Sequence, residues 1–208
     1  MKLYFTRHGK TEWNEAGRFQ GMHGDSPLLP TSYKEIQLLG NHLKEIPFQA
    51  IYVSTQKRAR VTAEEISKKL SRPVDIFLDQ DLREMGYGDL EGKSIVESYK
   101  LYEQALTNRQ HHLHLYDPSE FKGEATDIML RRMMKSIQQA VSKHDGPLLF
   151  VGHGSSMTAA IQYLLGKELA DLRSMGGLAN NSLTILETRD KSLPYDLVKW
   201  NCLDFLTE

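Results

Sequence analysis

The chain has 208 residues, 40% of them apolar, enough for one sizeable core, which sets the expectation of a single domain over 1–208. A formal net charge of −1 provides no global basic field, which argues against a nucleic-acid binder. One cysteine, Cys202, leaves no intrachain disulfide, Arg7 breaks the N-terminal apolar run too early for a targeting signal, and no stretch reaches the roughly twenty apolar residues of a membrane span. The expectation is a cytoplasmic protein without nucleic-acid or membrane partners.

Lys2 to Thr6 is the first expected strand, and it ends abruptly in Arg7-His8-Gly9. In an open α/β sheet, ligands bind at the carboxyl ends of strands. An imidazole beside a guanidinium at such a point offers a nucleophile next to an anion clamp, although the tripeptide alone also fits an ordinary surface His and Arg. Residues 12–30 form a long loop rich in Gly, Asn, Asp and Pro that begins at this point, a length that hints at function. From Thr31 to Ile46, Tyr33, Ile36, Leu39 and Leu43 recur at helical spacing, with Thr31 or Ser32 as N-cap and Pro47 as the stop.

Ala50 to Val53 reads as a second strand. Ser54-Thr55 then opens a helix carrying Arg58, about one turn in from an N-terminus whose free N–H groups favour an anion. Val74 to Leu78 is a third strand, and Asp81 to Gly92 is a loop with three glycines and several carboxylates. Ser94 to Leu106 reads as a helix, Asn108 to Glu124 as irregular, and Ala125 to Val141 as a long amphipathic helix with Arg131, Arg132 and Lys135 on its polar face. Leu148 to Val151 is an unbroken apolar run, as in a strand buried on both faces. It ends in Gly152-His153-Gly154, with a helix from Met157 to Leu165. Asn181 to Glu187 and Tyr195 to Trp200 form a closing antiparallel pair. The alternation predicts an α/β fold, a three-layer α/β/α sandwich with a mostly parallel, doubly wound sheet and a small helical and loop insertion around 93–124.

Two apolar strands thus each end in a histidine followed by glycine. If the strands are neighbours, His8 and His153 share one sheet edge with Arg7, Arg58 and the carboxylate of Glu84. Permanent positive charge without clustered carboxylates suits a phosphoryl group. His111-His112-Leu113-His114 lacks companion ligands at metal spacing and reads as a polar surface segment.

Arg7-His8-Gly9 with Thr11 and Asn14, Gly17 to Gly21, Asp25 to Leu28, Arg58-Ala59 with Thr62-Ala63, Leu82-Arg83-Glu84 with Gly88, Glu91 and Gly92, Gly123-Glu124 and Val151 to Gly154 follow one another along nearly the whole chain. Jointly they resemble the histidine phosphatase superfamily, or phosphoglycerate mutase-like family. The resemblance implies that His8 is the nucleophile that becomes phosphohistidine. It implies that Arg7, Arg58 and His153 bind the phosphoryl oxygens, with Asn14, Gln20, Gly21 and the Gly154 backbone completing the substrate site. Glu84 would protonate the leaving oxygen and then activate water. No metal and no cofactor are implied, and the partner is a small-molecule phosphate ester. Oligomeric state is left open. Lys10, Met22-His23-Gly24, Leu29-Pro30 and Lys34 depart from the family pattern at the rim.

Chemically, His8 must attack unprotonated, which the adjacent arginines promote, and its other ring nitrogen should donate to a backbone carbonyl. Glu84 must hold a proton, and Asp81, Asp89 and Glu91 rival it for that role. The expected function is a metal-independent phosphomonoesterase. A cofactor-dependent mutase on the same fold is the alternative. It is disfavoured because residues 108–124 are short and offer only Arg109, Lys122, three histidines and Pro118 for a lid. An inactive phospho-ligand binder and a metal hydrolase are further rivals.

Overall fold

In a computed structural model, which describes residues 1–207, β1 (Lys2–Arg7), β2 (Ala50–Ser54), β3 (Ile76–Asp79), β4 (Leu148–Gly152), β5 (Leu183–Glu187) and β6 (Asp196–Cys202) form one sheet in the order β3-β2-β4-β1-β5-β6. The first four are parallel, β5 runs antiparallel to β1, and β6 antiparallel to β5. This is the expected doubly wound sheet with an antiparallel edge.

Side-chain alternation explains why the strands carry so little polarity. In β4, Leu148 and Phe150 enter one core cluster while Leu149 and Val151 enter the other. In β1, Leu3 and Phe5 join the first and Tyr4 the second. Both faces are therefore covered. Helices α2 (Pro30–Leu43) and α3 (Lys57–Ser67) pack on the Tyr4 side, and α6 (Thr126–Lys143) and α7 (Gly154–Leu164) on the Phe5 side. The helix after β1 and the helix after β4 thus lie on opposite faces, and a crevice opens where these neighbouring strands end. Among the described residues, no helix is long and apolar enough to cross a membrane.

Several boundaries differ from expectation. A short helix, α1 (Glu12–Glu15), lies within the long loop, closed by reciprocal bonds between Thr11 and Asn14. Helix α2 begins at Pro30, which needs no N–H partner in a first turn, with Leu29 as its cap. Ser32 is no cap, since its hydroxyl donates to the Lys10 carbonyl at 2.8 Å. The helix expected over 94–106 is two, α4 (Ile95–Leu101) and α5 (Glu103–His111), broken at Tyr102. The break lets the Tyr102 ring meet Phe121 edge-on at 5.2 Å while Leu106 enters the core. Residues 108–111, expected to be irregular, complete α5. Helix α7 starts immediately after His153, three residues earlier than expected, and this places the N–H groups of Ser155 and Ser156 in its first turn.

Candidate active site

The parallel register pairs Arg7 with Gly152, and the His8 N–H donates to the Gly152 carbonyl at 2.9 Å. The chain therefore has no freedom to separate the two histidines that follow. Their rings sit 5.2 Å apart between centroids, and both are buried. His8 lines a cavity of about 400 Å³ together with Arg7, Asn14, Gln20, Glu84 and Gly154, whereas His153 is not part of its lining.

His8 is fixed at both nitrogens. Nδ1 donates to the Gly9 carbonyl at 2.8 Å, as expected, and Nε2 faces the Arg58 Nε at 3.2 Å. A guanidinium can only donate, so Nε2 carries a lone pair and the ring is the neutral Nδ1–H tautomer. Burial first, then the charges of Arg58 and Arg7, hold His8 well below the ordinary 6.5, against the Gly9 bond. Removal from water thus outweighs the neighbouring arginines on which the sequence argument rested. His153 is lowered in the same way, by burial and then Arg58. Its Nε2 meets the Ser54 hydroxyl at 2.7 Å, and its Nδ1 is buried without a partner.

Arg58 is 1% exposed and does not line the cavity. It reaches His8 from behind, with Nη1 donating to the Gly24 carbonyl (2.8 Å) and Asp25 (3.1 Å) and Nη2 to the Gly21 carbonyl (3.1 Å). Gly21 therefore meets Arg58 and lies outside the cavity wall. Gln20 acts on the same arginine. With its amide nitrogen donating to Thr11 Oγ1 and Ser26 Oγ, its oxygen accepts from Arg58 Nε at 2.8 Å, so the single Nε–H is shared between Gln20 and the more distant His8 Nε2. Asn14 Oδ1 accepts from the Thr11 N–H at 3.2 Å, while no bond within the described residues engages its Nδ2. Arg7 donates to the Leu178 carbonyl at 2.8 Å and keeps a buried, unpaired Nε. A Cβ on Gly154 would lie 3.1 Å from the Arg7 guanidinium carbon, so glycine is what lets Arg7 lie against this backbone.

Glu84 alone among the carboxylates of its loop lines the cavity. Its oxygens accept from the backbone N–H groups of Met85 (2.8 Å), Ser155 (2.9 Å) and Ser156 (2.7 Å). The first turn of α7 thus fixes the Glu84 carboxyl group at the cavity. Asp81 pairs with Lys135 and Asp89 with Lys122. Glu91 accepts from the N–H groups of His23, Gly24 and Tyr87, and so ties down the loop that grips Arg58.

Sequence reasoning missed three contributors. Arg109 was weighed only as part of a lid, yet it lines the cavity and donates to Tyr87 and Ser155 hydroxyls at 3.1 and 3.2 Å. Arg173 lines the same wall and gave no signal in the sequence. Arg132, expected on a polar helix face, forms a largely buried pair with Glu124 at 2.7 Å and donates to the carbonyls of Asp81, Arg83 and Glu84. His112 and His114 are exposed, His111 reaches only the cavity rim, and no group of three metal-ligating side chains forms among the described residues.

Comparison with known proteins agrees with this geometry. Residues 3–203 match the model of the histidine phosphatase superfamily, branch 1. A metal-independent phosphoserine phosphatase of Arabidopsis thaliana is 31% identical, covering 99% of this chain and 83% of its own length. The uncharacterized phosphatase PhoE of Bacillus subtilis is 30% identical over 96% of this chain and 91% of its own. A phosphoglycerate mutase of Schizosaccharomyces pombe is 30% identical over 79% of each. The solved structure of Bacillus stearothermophilus YhfR superposes with a TM-score of 0.89 at 31% identity, covering 99% of this chain and 98% of that one. A match that runs from the first strand to the last, through both histidine-bearing turns, leaves no segment that another fold must explain: the chain belongs to the histidine phosphatase superfamily.

Proposed function

We propose that the protein is a metal-independent phosphomonoesterase that passes the phosphoryl group of a small ester through His8 to water. The observation that carries this reading is the state of His8, a buried neutral imidazole whose Nδ1–H is fixed on the Gly9 carbonyl and whose Nε2 lone pair faces the Arg58 guanidinium. The Nε2 lone pair forms the N–P bond while the ester P–O bond breaks, and Glu84 gives its proton to the departing oxygen. Water then attacks phosphorus and leaves its proton on Glu84, and the N–P electron pair returns to Nε2. That proton readies Glu84 for the next ester, so the cycle closes on this chain's own groups.

Beside His8, Arg7 Nε and His153 Nδ1 are buried without partners and have bonding capacity left for phosphoryl oxygens, and Arg58 contributes its charge beside the reacting nitrogen. Asn14 Nδ2 adds a donor from the loop, while Gln20 and Gly21 act by orienting Arg58. Fixed cationic donors are what a transferring phosphoryl group needs, and a relative named as metal-independent is consistent with them.

The direct test is phosphate release from a panel of phosphate esters after exhaustive chelation. The reading expects full activity in chelator. Loss that zinc or manganese restores would favour a metal hydrolase, and no turnover of any ester would favour a phospho-ligand binder. Mutases among the relatives keep one rival on the same fold. With 3-phosphoglycerate and catalytic 2,3-bisphosphoglycerate, free phosphate should outpace 2-phosphoglycerate, and the opposite partition would establish a mutase.

A further inference from the structure

The cavity holds more positive charge than a single phosphoryl group uses. Arg7, Arg18, Arg109 and Arg173 line it against one carboxylate, Glu84, whose oxygens are already engaged by three backbone N–H groups. Arg7 adjoins the His8 end, but Arg109 and Arg173 come from elsewhere, one from α5 and the other from the segment after α7. Both are half-buried, and neither forms an ion pair among the described residues, which leaves partly desolvated charge without a partner.

Arg109 is pre-set rather than free. Its guanidinium lies 5.4 Å from the ring centres of both Phe19 and Tyr87, and its Nη1 is anchored on Tyr87 and Ser155 hydroxyls, yet its Nε is buried and unpaired. Arg173 has no side-chain hydrogen bond within the described residues, and both its Nε and Nη2 are buried without partners. Burial, with Arg109 adding repulsion, lowers Arg173 to about 10, so it stays charged at neutral pH. A packing role explains part of Arg109 and nothing of Arg173. Two planar forks with unspent donors on one cavity wall are the geometry that binds a carboxylate or a phosphoryl group.

We propose that Arg109 and Arg173 form a second anion subsite, so that the preferred substrates carry a carboxylate or a second phosphoryl group beside the ester that is cleaved. The proposal rests on the phosphatase reading and narrows its substrate class. A cavity of about 400 Å³ accommodates a small ester spanning both subsites. An anion at Arg173 engages donors that no protein group uses, so recognition is expected chiefly in substrate binding, as a change in KM more than in kcat.

The test uses matched esters that differ only in the second group. Phosphoserine is set against phosphoethanolamine, and 3-phosphoglycerate against glycerol 3-phosphate, for the carboxylate. Glycerol 1,3-bisphosphate against glycerol 3-phosphate reports a second phosphoryl group. In the wild-type protein, kcat/KM for the anion-bearing member of at least one pair should exceed its partner's by roughly ten- to a hundredfold, the size of a charge-assisted contact, and the pair with the larger ratio identifies the group. Arg173→Gln should collapse that ratio towards one through KM, and Arg173→Lys should retain part of it. Arg109→Lys, which keeps the charge near Tyr87, should reduce the ratio less than Arg173→Gln. Ratios near one in the wild type, or a ratio unmoved by Arg173→Gln, would overturn the subsite while leaving the phosphatase reading intact. Absence of hydrolysis for every ester would instead remove the reading beneath it.

Discussion

His8, the proposed nucleophile, is fixed by two contacts, Gly9 at Nδ1 and Arg58 at Nε2. Because its proton affinity is held well below 6.5, the imidazole stays neutral through the neutral and mildly acid range. An NMR titration of the free protein should therefore show no His8 protonation near 6.5. Arg58→Gln removes a cation that disfavours the charged ring, so the His8 midpoint should rise towards 6.5, whereas an unchanged midpoint would mean that burial and Arg7 set it without Arg58. The proposed reaction gives Glu84 a complementary task. A proton given to a departing alkoxide is worth roughly 10²–10⁴-fold in rate, while nitrophenolate leaves without it. Glu84→Gln should slow phosphorylation by an alkyl phosphate far more than by nitrophenyl phosphate, measured in the first turnover. Equal losses would remove Glu84 from the acid role.

At the scale of elements, the site is held by polar ties between segments distant in sequence. Arg132 on α6 clamps the carbonyls of Asp81, Arg83 and Glu84 and pairs with Glu124, which also accepts from the Gly86 N–H at 3.1 Å. Arg132→Met should cost about 3–5 kcal/mol in urea unfolding, because it strands the largely buried Glu124. The double replacement with Glu124→Gln should recover part of that loss, and additive losses would contradict the coupling. Such ties explain what the sequence concealed. Arg132 sits at a helical spacing indistinguishable from the exposed Arg131, and only the approach of the Glu84 loop distinguishes them. The break at Tyr102 was equally hidden, since Ile95, Tyr99, Tyr102 and Leu106 keep one helical period across it and the contact with Phe121 decides otherwise. The cap of α2 was misread for a local reason: Ser32 satisfies a carbonyl from another segment, and Pro30 needs no capped N–H.

Across the whole molecule, the sheet order does the assembling. Strands β1 and β4 were legible because each is a short apolar run ending in a histidine followed by glycine, and their parallel register carries both rings to one edge. Arg109 and Arg173 were not legible as a pair, because 64 positions separate them and only the fold brings α5 and the segment after α7 to one cavity. The result is a pocket whose histidine, carboxyl group and arginines come from well-separated stretches of chain, and the proposed chemistry is placed on one atom, His8 Nε2. The decisive measurement is the fate of the phosphoryl group when a ³²P-labelled ester is mixed with enzyme and quenched within a turnover. A phosphoramidate survives base and is lost in acid, so label should remain on the protein after a base quench, vanish after an acid quench, map to the peptide bearing His8, and be absent from His8→Ala. Acid-stable label, or label that persists in His8→Ala, would contradict the account.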